Sequence, residues 1–195
     1  PEIEAYTYCV SFEDDFIMVD NHRYLANVLV TDSVFLKLMD YPVISGIKSI
    51  QKPDDVIITR KYARHLFGDE DPLGKQLTSS VGTTLTIRGI IDEPSTKSSL
   101  SFDLIAPVDQ GEYVSWSRMG FCIVRLTNGT DVTKYNEKIS KPQSLFCFGS
   151  SPIQYKLLPL KELYFNKTVR STSAAFMRGN KDHVTVLSVV ACMLL

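Results

Sequence analysis

The sequence has few of the residues that most often do chemistry in proteins. Its 195 residues include 3 histidines and 4 cysteines. The cysteines, Cys9, Cys122, Cys147 and Cys192, show no CxxC or other close spacing, which argues against a structural zinc or a redox site. We therefore expect no metal site and interpret the cysteines as small buried apolar residues. A Cys122–Cys147 disulfide stays open as an alternative.

Net charge is almost absent as well. The chain has 21 Lys and Arg against 22 Asp and Glu, a formal net charge of −1 at pH 7. Without an excess of positive charge no overall field attracts phosphates, so we exclude nucleic acid as a partner. With 44% hydrophobic residues the chain is globular, and it can bury one sizeable core or two small lobes.

The chain also lacks a phosphate-binding loop and a nucleophile motif. Gly68–Gln76 has five residues between its glycines instead of four, Gln76 follows Lys75, and the acidic residues 69–71 would repel phosphate. This segment is typical of a helix end followed by a turn. No EF-hand spacing and no G-x-S-x-G elbow occurs. We therefore expect no catalytic residue and no cofactor in this domain, which is not an enzyme; a secreted hydrolase is the less favoured alternative.

The segment 54–77 carries the clearest secondary-structure signals. Val56–Ile58 is a β-branched run, and Thr59 after it is a good N-cap for a helix. Gly68 supplies the left-handed residue that ends this helix. Asp71–Gly74 then has the residues that a type I turn prefers, and a new strand begins at Lys75. The order strand, helix, turn, strand follows.

The first fifty residues predict strands and one helix. Tyr6–Phe12 alternates apolar and polar residues, as a half-buried strand does. Glu13–Asp15 is interpreted as a turn. The stretch from Phe16 to Val30, with Asp20-Asn21 at its centre, predicts a hairpin. Thr31–Ser33 offers caps for a helix that Tyr41-Pro42 ends.

The remainder is mixed. Lys75–Val108 shows almost only strand signals. Phe121–Leu126 predicts a strand, and Asp131 caps a helix with apolar residues at Val132, Tyr135 and Ile139. Ile153–Leu157 alternates again and predicts a further strand.

One apolar run stands out at residues 184–195. Its twelve residues are fewer than the roughly 20 that cross a bilayer. With Arg178, Lys181 and His183 just before it, we interpret it as the first part of a membrane helix; the alternative is a buried helix or strand. The apolar residues assigned to this helix start are Val184, Val186, Leu187, Val189, Val190, Leu194 and Leu195.

One candidate contact surface is visible. Trp116 is the single tryptophan of the chain, and Tyr113 lies beside it in a polar loop. Such side chains pair apolar area with a polar tip, which suits contact with sugar, lipid or protein. The alternative is that Trp116 fills a small β lobe.

The sequence resembles a known family at its centre. Ala63–Lys75 reads A-x-x-L-F-G-D-E-D-P-L-G-K, followed by Leu85–Asp92 and by Phe102-Asp103, and the opening Pro1–Ala5 fits the same pattern. Together these motifs resemble the extracytoplasmic, or periplasmic, core domain of MacB-like and FtsX-like ABC transporter permeases.

The resemblance implies a function and partners. It implies a non-catalytic periplasmic domain that couples cytoplasmic ATP hydrolysis to movement of a substrate or partner outside the membrane, in export, efflux or lipoprotein release. The implied partners are a cytoplasmic ABC ATPase subunit, a second permease copy, a periplasmic adaptor and the membrane. The implied location is the inner membrane of a Bacteroides-like bacterium, with this domain in the periplasm.

The expected fold class is α+β with two lobes. Segments 1–52 and 120–180 would form a discontinuous Porter-like α/β lobe, 53–119 an inserted β-rich Sabre-like lobe, and 184–195 the start of a membrane helix. The alternative function is the extracytoplasmic sensor domain of a membrane signalling receptor, which also lies between two membrane helices.

Overall fold

The chain folds into a mixed α+β structure, as its sequence predicts. The computed structural model describes residues 2–92, 100–108, 120–140, 155–166 and 179–180. The strands are β1 (Ile3–Val19), β2 (His22–Thr31), β3 (Val43–Gly46), β4 (Asp55–Thr59), β5 (Gln76–Ser79), β6 (Thr84–Ile91), β7 (Leu104–Pro107) and β8 (Phe121–Leu126). The helices are α1 (Phe35–Met39), α2 (Arg60–Phe67), α3 (Val132–Ile139) and α4 (Leu160–Leu163).

Six of these strands pair in a closed ring. β1 pairs with β2 antiparallel, β2 with β7 in parallel, and β7 with β4 antiparallel. β4 pairs with β6 in parallel, β6 with β5 antiparallel, and β5 returns antiparallel to β1. β3 lies beside β6, and β8 lies beside β1. Closure gives every strand of the six-stranded ring a partner on both sides along part of its length, which removes open edges.

Five of the six strands of the ring, all except β5, bury side chains on both faces. Val28 and Val30 of β2 belong to one apolar cluster, and Leu29 between them belongs to another. Alternate residues of a strand point to opposite faces. All six strands contribute to the first cluster, so it fills the inside of the ring. Burial on both faces explains why the three central residues of β4, Val56-Ile57-Ile58, are all apolar.

Helix α1 covers the outer cluster. Its Phe35 is fully buried and contacts Tyr41 and Phe102, with ring centroids 5.8 and 5.9 Å away, and the latter two rings are 5.3 Å apart. Such aromatic groups contribute large buried areas. The prediction of this helix is confirmed.

Helix α2 begins and ends where the sequence predicts. The Thr59 side chain accepts a hydrogen bond from the Tyr62 backbone N–H at 3.2 Å, and Gly68 follows the helix with a φ of 62°. Tyr62 and Ala63 join the inner cluster, so α2 packs its apolar face against the inside of the ring.

The turn after α2 is displaced by one residue. A type I turn over Asp71–Gly74 is predicted, but the backbone bond that closes the turn runs from the Lys75 N–H to the Pro72 carbonyl at 3.1 Å. Gly74 therefore occupies the third position with a φ of 80°, a position that requires glycine in a type II turn. Asp71 accepts from the Leu73 N–H instead of opening the turn.

Two expectations for the first strand are wrong. Glu13–Asp15 does not turn the chain, because β1 continues to Val19 and the pairing with β2 only shifts register between Phe12 and Asp15. This is a β-bulge, with Asp14 at a φ of 49°. The strand is also not half-buried: Val10 and Phe12 are buried as the alternation predicts, but Thr7 and Cys9 on the other face are buried as well, and Tyr6 is 61% exposed. The Asp20-Asn21 hairpin turn is confirmed, and both residues have positive φ.

The C-terminal elements are partly as predicted. β8 and α3 are confirmed, with Asp131 accepting from the backbone of Thr133 and Lys134. No residue of α3 is buried. Tyr155–Leu157 forms no strand. Asn136 instead binds the backbone of Leu157 with both atoms of its amide, at 2.7 and 3.2 Å, which replaces strand pairing there.

Contacts divide the described residues into two compact units. One comprises residues 5–124 and includes α1, α2 and nearly the whole ring; the other comprises residues up to 4 and the described residues from 125 onward, with α3 and α4. The assignment of 1–52 with 120–180 to a Porter-like lobe and of 53–119 to a Sabre-like lobe stays a prediction. The two units divide the chain at other residues, and strands from both segments share one sheet.

Some predictions lie outside the described residues. These are the contact surface at Tyr113 and Trp116, Cys147 of the Cys122–Cys147 disulfide, and the membrane helix start at residues 184–195. Cys122 is described and is exposed, so its interpretation as a buried residue is wrong. Among the helices of the described residues, none has the length and apolar character needed to cross a bilayer.

Two glycines with similar φ angles test how closely β3 approaches β6. Gly46 and Gly82 have φ of 81° and 88°, but a Cβ at Gly46 would overlap the Arg88 carbonyl whereas a Cβ at Gly82 meets open space. We expect Gly82→Ala to lower the free energy of unfolding by about 1–2 kcal/mol through φ alone. Gly46→Ala should cost about 1–3 kcal/mol more because backbone must move. Urea unfolding of both variants measures the difference, and equal losses would contradict the close approach of β3 to β6.

Candidate functional site

The first strand is the best candidate for a functional element, because it is the longest strand of the described residues and pairs with three others. β1 is 17 residues long and pairs with β2, β5 and β8. Nine residue pairs join it to β2 alone, on either side of the bulge.

A buried polar cluster joins β1 to the end of β2. We define the Thr7 cluster as Thr7, Cys9, Thr31 and Asp32. The hydroxyls of Thr7 and Thr31 lie 3.0 Å apart, and the Thr31 hydroxyl donates to the Tyr8 carbonyl at 2.9 Å. The Cys9 thiol lies 3.3 Å from the Thr31 hydroxyl. Thr7 and Thr31 are both fully buried, so these bonds have no competition from water.

Asp32 extends this cluster to helix α1. One carboxylate oxygen accepts from the Thr7 hydroxyl and from the Val34 N–H, each at 2.9 Å, and the other accepts from the Tyr8 N–H at 3.2 Å. Asp32 was predicted as a possible helix cap, but the residue at the N-cap is Val34, with no side-chain cap bond. The carboxylate therefore connects β1, β2 and the turn before α1.

The Thr7 cluster is suited to holding and not to catalysis. Burial raises the pKa of the Cys9 thiol to about 11, although hydrogen bonds with Thr31 and Thr7 act in the opposite direction. The thiol is therefore neutral at physiological pH and is a poor nucleophile. The two carboxylate oxygens of Asp32 accept hydrogen bonds from three donors, so both are occupied within the fold. Among the described residues no buried side-chain nitrogen or oxygen lacks a partner.

A second group of hydrogen bonds between elements surrounds Asp103, which belongs to the Phe102-Asp103 part of the family motif. Its carboxylate accepts from the backbone and side-chain amides of Asn27 at 2.8 and 3.1 Å. Its carbonyl accepts from the Thr59 N–H at 2.9 Å. The Tyr62 hydroxyl donates to the Leu25 carbonyl at 2.8 Å, and burial raises the pKa of Tyr62. These bonds join β2, β4 and α2 at the start of β7.

The beginning of the chain is held by exposed charges. The Lys138 ammonium donates to the Glu2 carboxylate at 2.7 Å, and Arg125 lies 3.9 Å from Glu4. The Thr127 N–H donates to the Glu2 carbonyl at 3.0 Å. The hydrogen bond from Lys138 lowers the pKa of Glu2 from 4.5 to about 2.

The acidic turn at residues 69–71 is held by a lysine. Glu70 pairs with Lys75, whose ammonium also lies 4.5 Å above the Phe67 ring. Within the described residues, no group of three or more His, Cys, Asp or Glu side chains converges to hold a metal ion. The expectation of no cofactor in this domain stays a prediction.

Comparison with known proteins decides the family. The model of the MacB-like periplasmic core domain matches residues 1–141, more than half of the chain. The chain belongs to this family. The resemblance seen at residues 63–75 and 85–92 is thereby confirmed. None of the curated proteins matches the chain in sequence.

Solved structures share the fold of this MacB-like domain. The periplasmic region of MacB from Actinobacillus actinomycetemcomitans matches with a TM-score of 0.60 and 16% identity over 72% of this chain and 65% of that one. A domain of a putative permease protein from Porphyromonas gingivalis matches with a TM-score of 0.60 and 22% identity over 71% and 68%. The extracellular domain of the noncanonic ABC-type transporter YknZ from Gram-positive bacteria matches with a TM-score of 0.56 and 14% identity over 69% and 71%. The chain thus spans just under two thirds of the MacB region.

Sequence reasoning missed the Thr7 cluster. The alternation of Tyr6–Phe12 predicts a half-buried strand with Thr7 on its polar face, whereas the burial expected of Cys9 is confirmed. The sequence does contain one indication of the cluster: Thr31-Asp32 follows an apolar strand, and polar groups buried there need hydrogen-bond partners. It identifies no partner, because the pairing of β1 with β2 is a tertiary feature.

The Thr7 cluster predicts a large stability difference between two threonines. Thr31→Val removes the hydroxyl that binds Thr7, Cys9 and the Tyr8 carbonyl, so we expect a loss of about 1–3 kcal/mol in the free energy of unfolding. Thr84→Val alters an exposed residue of β6 and should change it by less than about 0.5 kcal/mol. Chemical denaturation checks both. Equal effects would show that the cluster does not stabilise the strand pair.

The Glu2–Lys138 pair predicts a dependence on pH. Because the folded-state pKa of Glu2 is depressed, the stability that it contributes is present above pH 4.5 and is lost as the pH falls toward about 2. An NMR titration of the Glu2 carboxyl should report a pKa near 2, which Lys138→Gln returns toward 4.5. Lys134→Gln, on the same helix, should leave it unchanged. A Glu2 pKa that does not respond to Lys138→Gln would exclude the pair in solution.

Proposed function

We propose that this chain is the periplasmic domain of an ABC transporter permease of the MacB and FtsX type, and that it transmits movement from the membrane without doing chemistry itself. The observation that carries the proposal is the family match over residues 1–141. The putative permease of Porphyromonas gingivalis and the transporter YknZ, whose domains share the fold, support it.

The physical basis is the stiffness of the unit that contains the ring. A domain that transmits movement must keep its shape when one segment is displaced. Here the first strand is bonded on two sides within a closed ring; its buried Thr7 hydroxyl donates to Asp32, and its Tyr8 carbonyl accepts from Thr31 of β2. A displacement of β1 would break several of these bonds together, so the unit should move as a body.

The proposal assigns the chemistry to partners. ATP hydrolysis would occur on a separate cytoplasmic ABC ATPase, and two permease copies would form a homodimer. The apolar residues from Val184 to Leu195 would begin the next membrane helix in the inner membrane, and a periplasmic adaptor would complete the assembly. Drugs, peptides and lipoproteins are all compatible as cargo. The family match favours this proposal over a signalling receptor.

A distance measurement in the full permease tests the coupling. A spin label at Lys61→Cys, on the exposed side of α2, reports the distance between two copies. Cys122, Cys147 and Cys192 are replaced by serine, and Cys9 is buried and unreactive. With the ATPase present, the distance distribution should shift between the ADP and ATP-bound states. The same permease with an ATPase that cannot hydrolyse ATP should stay in the ATP-bound state after ATP is added.

Two outcomes contradict the proposal. An unchanged distance in every nucleotide state would show that the domain does not follow the ATPase. A shift that depends on a periplasmic ligand and not on nucleotide would instead support the receptor function.

A further inference from the structure

The short helix α4 and its flanks expose an unusual amount of apolar surface. We define the α4 surface as Leu160, Tyr164 and Phe165, whose exposed fractions are 46%, 40% and 40%. Leu160 and Tyr164 are four residues apart, and Tyr164 keeps helical φ and ψ, so both lie on one face. Contiguous exposed apolar groups usually mark a contact site.

The aromatic pair of this surface is held in place. The rings of Tyr164 and Phe165 meet edge to face with centroids 4.7 Å apart. The Gly179 N–H donates to the Tyr164 carbonyl at 2.9 Å. A Cβ at Gly179 would overlap the Tyr164 ring, so the backbone of Gly179 lies directly against the pair.

This contact limits how far the α4 surface lies from the apolar run. Val184 is five residues after Gly179, and an extended chain advances at most about 3.6 Å per residue, so the two residues are within about 18 Å of each other. If residues 184–195 begin a membrane helix, the Tyr164–Phe165 pair is therefore close to the bilayer surface.

The charge of the surrounding sequence fits a lipid surface. Residues 156–182 carry six basic residues, namely Lys156, Lys161, Lys167, Arg170, Arg178 and Lys181, against two acidic ones, Glu162 and Asp182. This segment has a formal charge of +4, whereas the rest of the chain has −5. Basic residues near a membrane are attracted to anionic lipids by about 1 kcal/mol each. Tyrosine and other amphipathic side chains favour the headgroup region.

We propose that the α4 surface rests on the anionic phospholipid headgroups of the leaflet that residues 184–195 enter, with Tyr164 and Phe165 inserted and Lys161 at the headgroups. The inference rests on the proposed function, because it requires that residues 184–195 are a membrane anchor. It adds a lipid contact that holds the α4 surface at a fixed depth.

Lipid quenching of tryptophan fluorescence tests this contact directly. The full permease, with its other tryptophans replaced by phenylalanine, is reconstituted into phosphatidylethanolamine and phosphatidylglycerol vesicles that contain brominated lipids. Phe165→Trp in a Trp116→Phe background places the probe at the α4 surface. Leu25→Trp in the same background is the matched control, because Leu25 is 69% exposed and belongs to the other compact unit. Circular dichroism confirms that both variants fold.

The expected result is quenching at position 165 about twofold or more stronger than at position 25. Lys161→Glu, or replacement of phosphatidylglycerol by phosphatidylcholine, should weaken it, since both remove the attraction between Lys161 and the lipid. Equal quenching at positions 165 and 25 in a chain that floats with the vesicles overturns the lipid contact and leaves the membrane anchor intact. In that case, protection of position 165 from aqueous iodide in the full permease would indicate a protein partner instead. A chain that does not float with the vesicles overturns both the anchor and the contact.

Discussion

The need to satisfy two buried hydroxyls is the constraint on which the position of the first strand depends. Thr7 and Thr31 are fully buried on neighbouring strands with their hydroxyls 3.0 Å apart; the Thr7 hydroxyl donates to Asp32 and the Thr31 hydroxyl donates to the Tyr8 carbonyl. An unbonded hydroxyl at this depth would cost about 1–3 kcal/mol. A shift of β1 by one residue would break every bond of the cluster and also reverse the faces of the strand. The cluster thus selects one register, and the ring closes around it.

Local structure could be predicted from the sequence, whereas strand pairing could not. The signals at Thr59, Gly68 and Asp131 act within a few residues, so α2 and α3 begin or end as expected. The pairing of β2 with β7 in parallel joins Leu29 to Ile105, which are 76 residues apart, and no local pattern encodes it. Because both faces of β2 and β4 are buried, the sequence of these strands also lacks the alternation that would distinguish inside from outside.

The candidate site shows the same division. The family was apparent from the motif at residues 63–75, and the model match confirms it. Thr7 and Asp103, whose hydrogen bonds join the strands, belong to no catalytic or metal-binding motif. A hydrogen bond between distant residues needs only one donor and one acceptor, so it leaves no recognisable pattern in the sequence. The bulge at Asp14 resembled a turn in sequence because acidic residues with positive φ are common in both. Residues whose role is to join strands by hydrogen bonds can therefore be identified only in the folded chain.

The central claim is that the first strand is an integral part of a stiff unit. Native-state hydrogen exchange measures this most directly, by comparing the bonded amides of residues 9–12 in β1 with those of residues 56–58 in β4. The account predicts that both sets exchange only through global unfolding, with the same free energy and the same dependence on denaturant. Exchange of the β1 amides through a separate opening of much lower free energy, while the β4 amides stay protected, would contradict it.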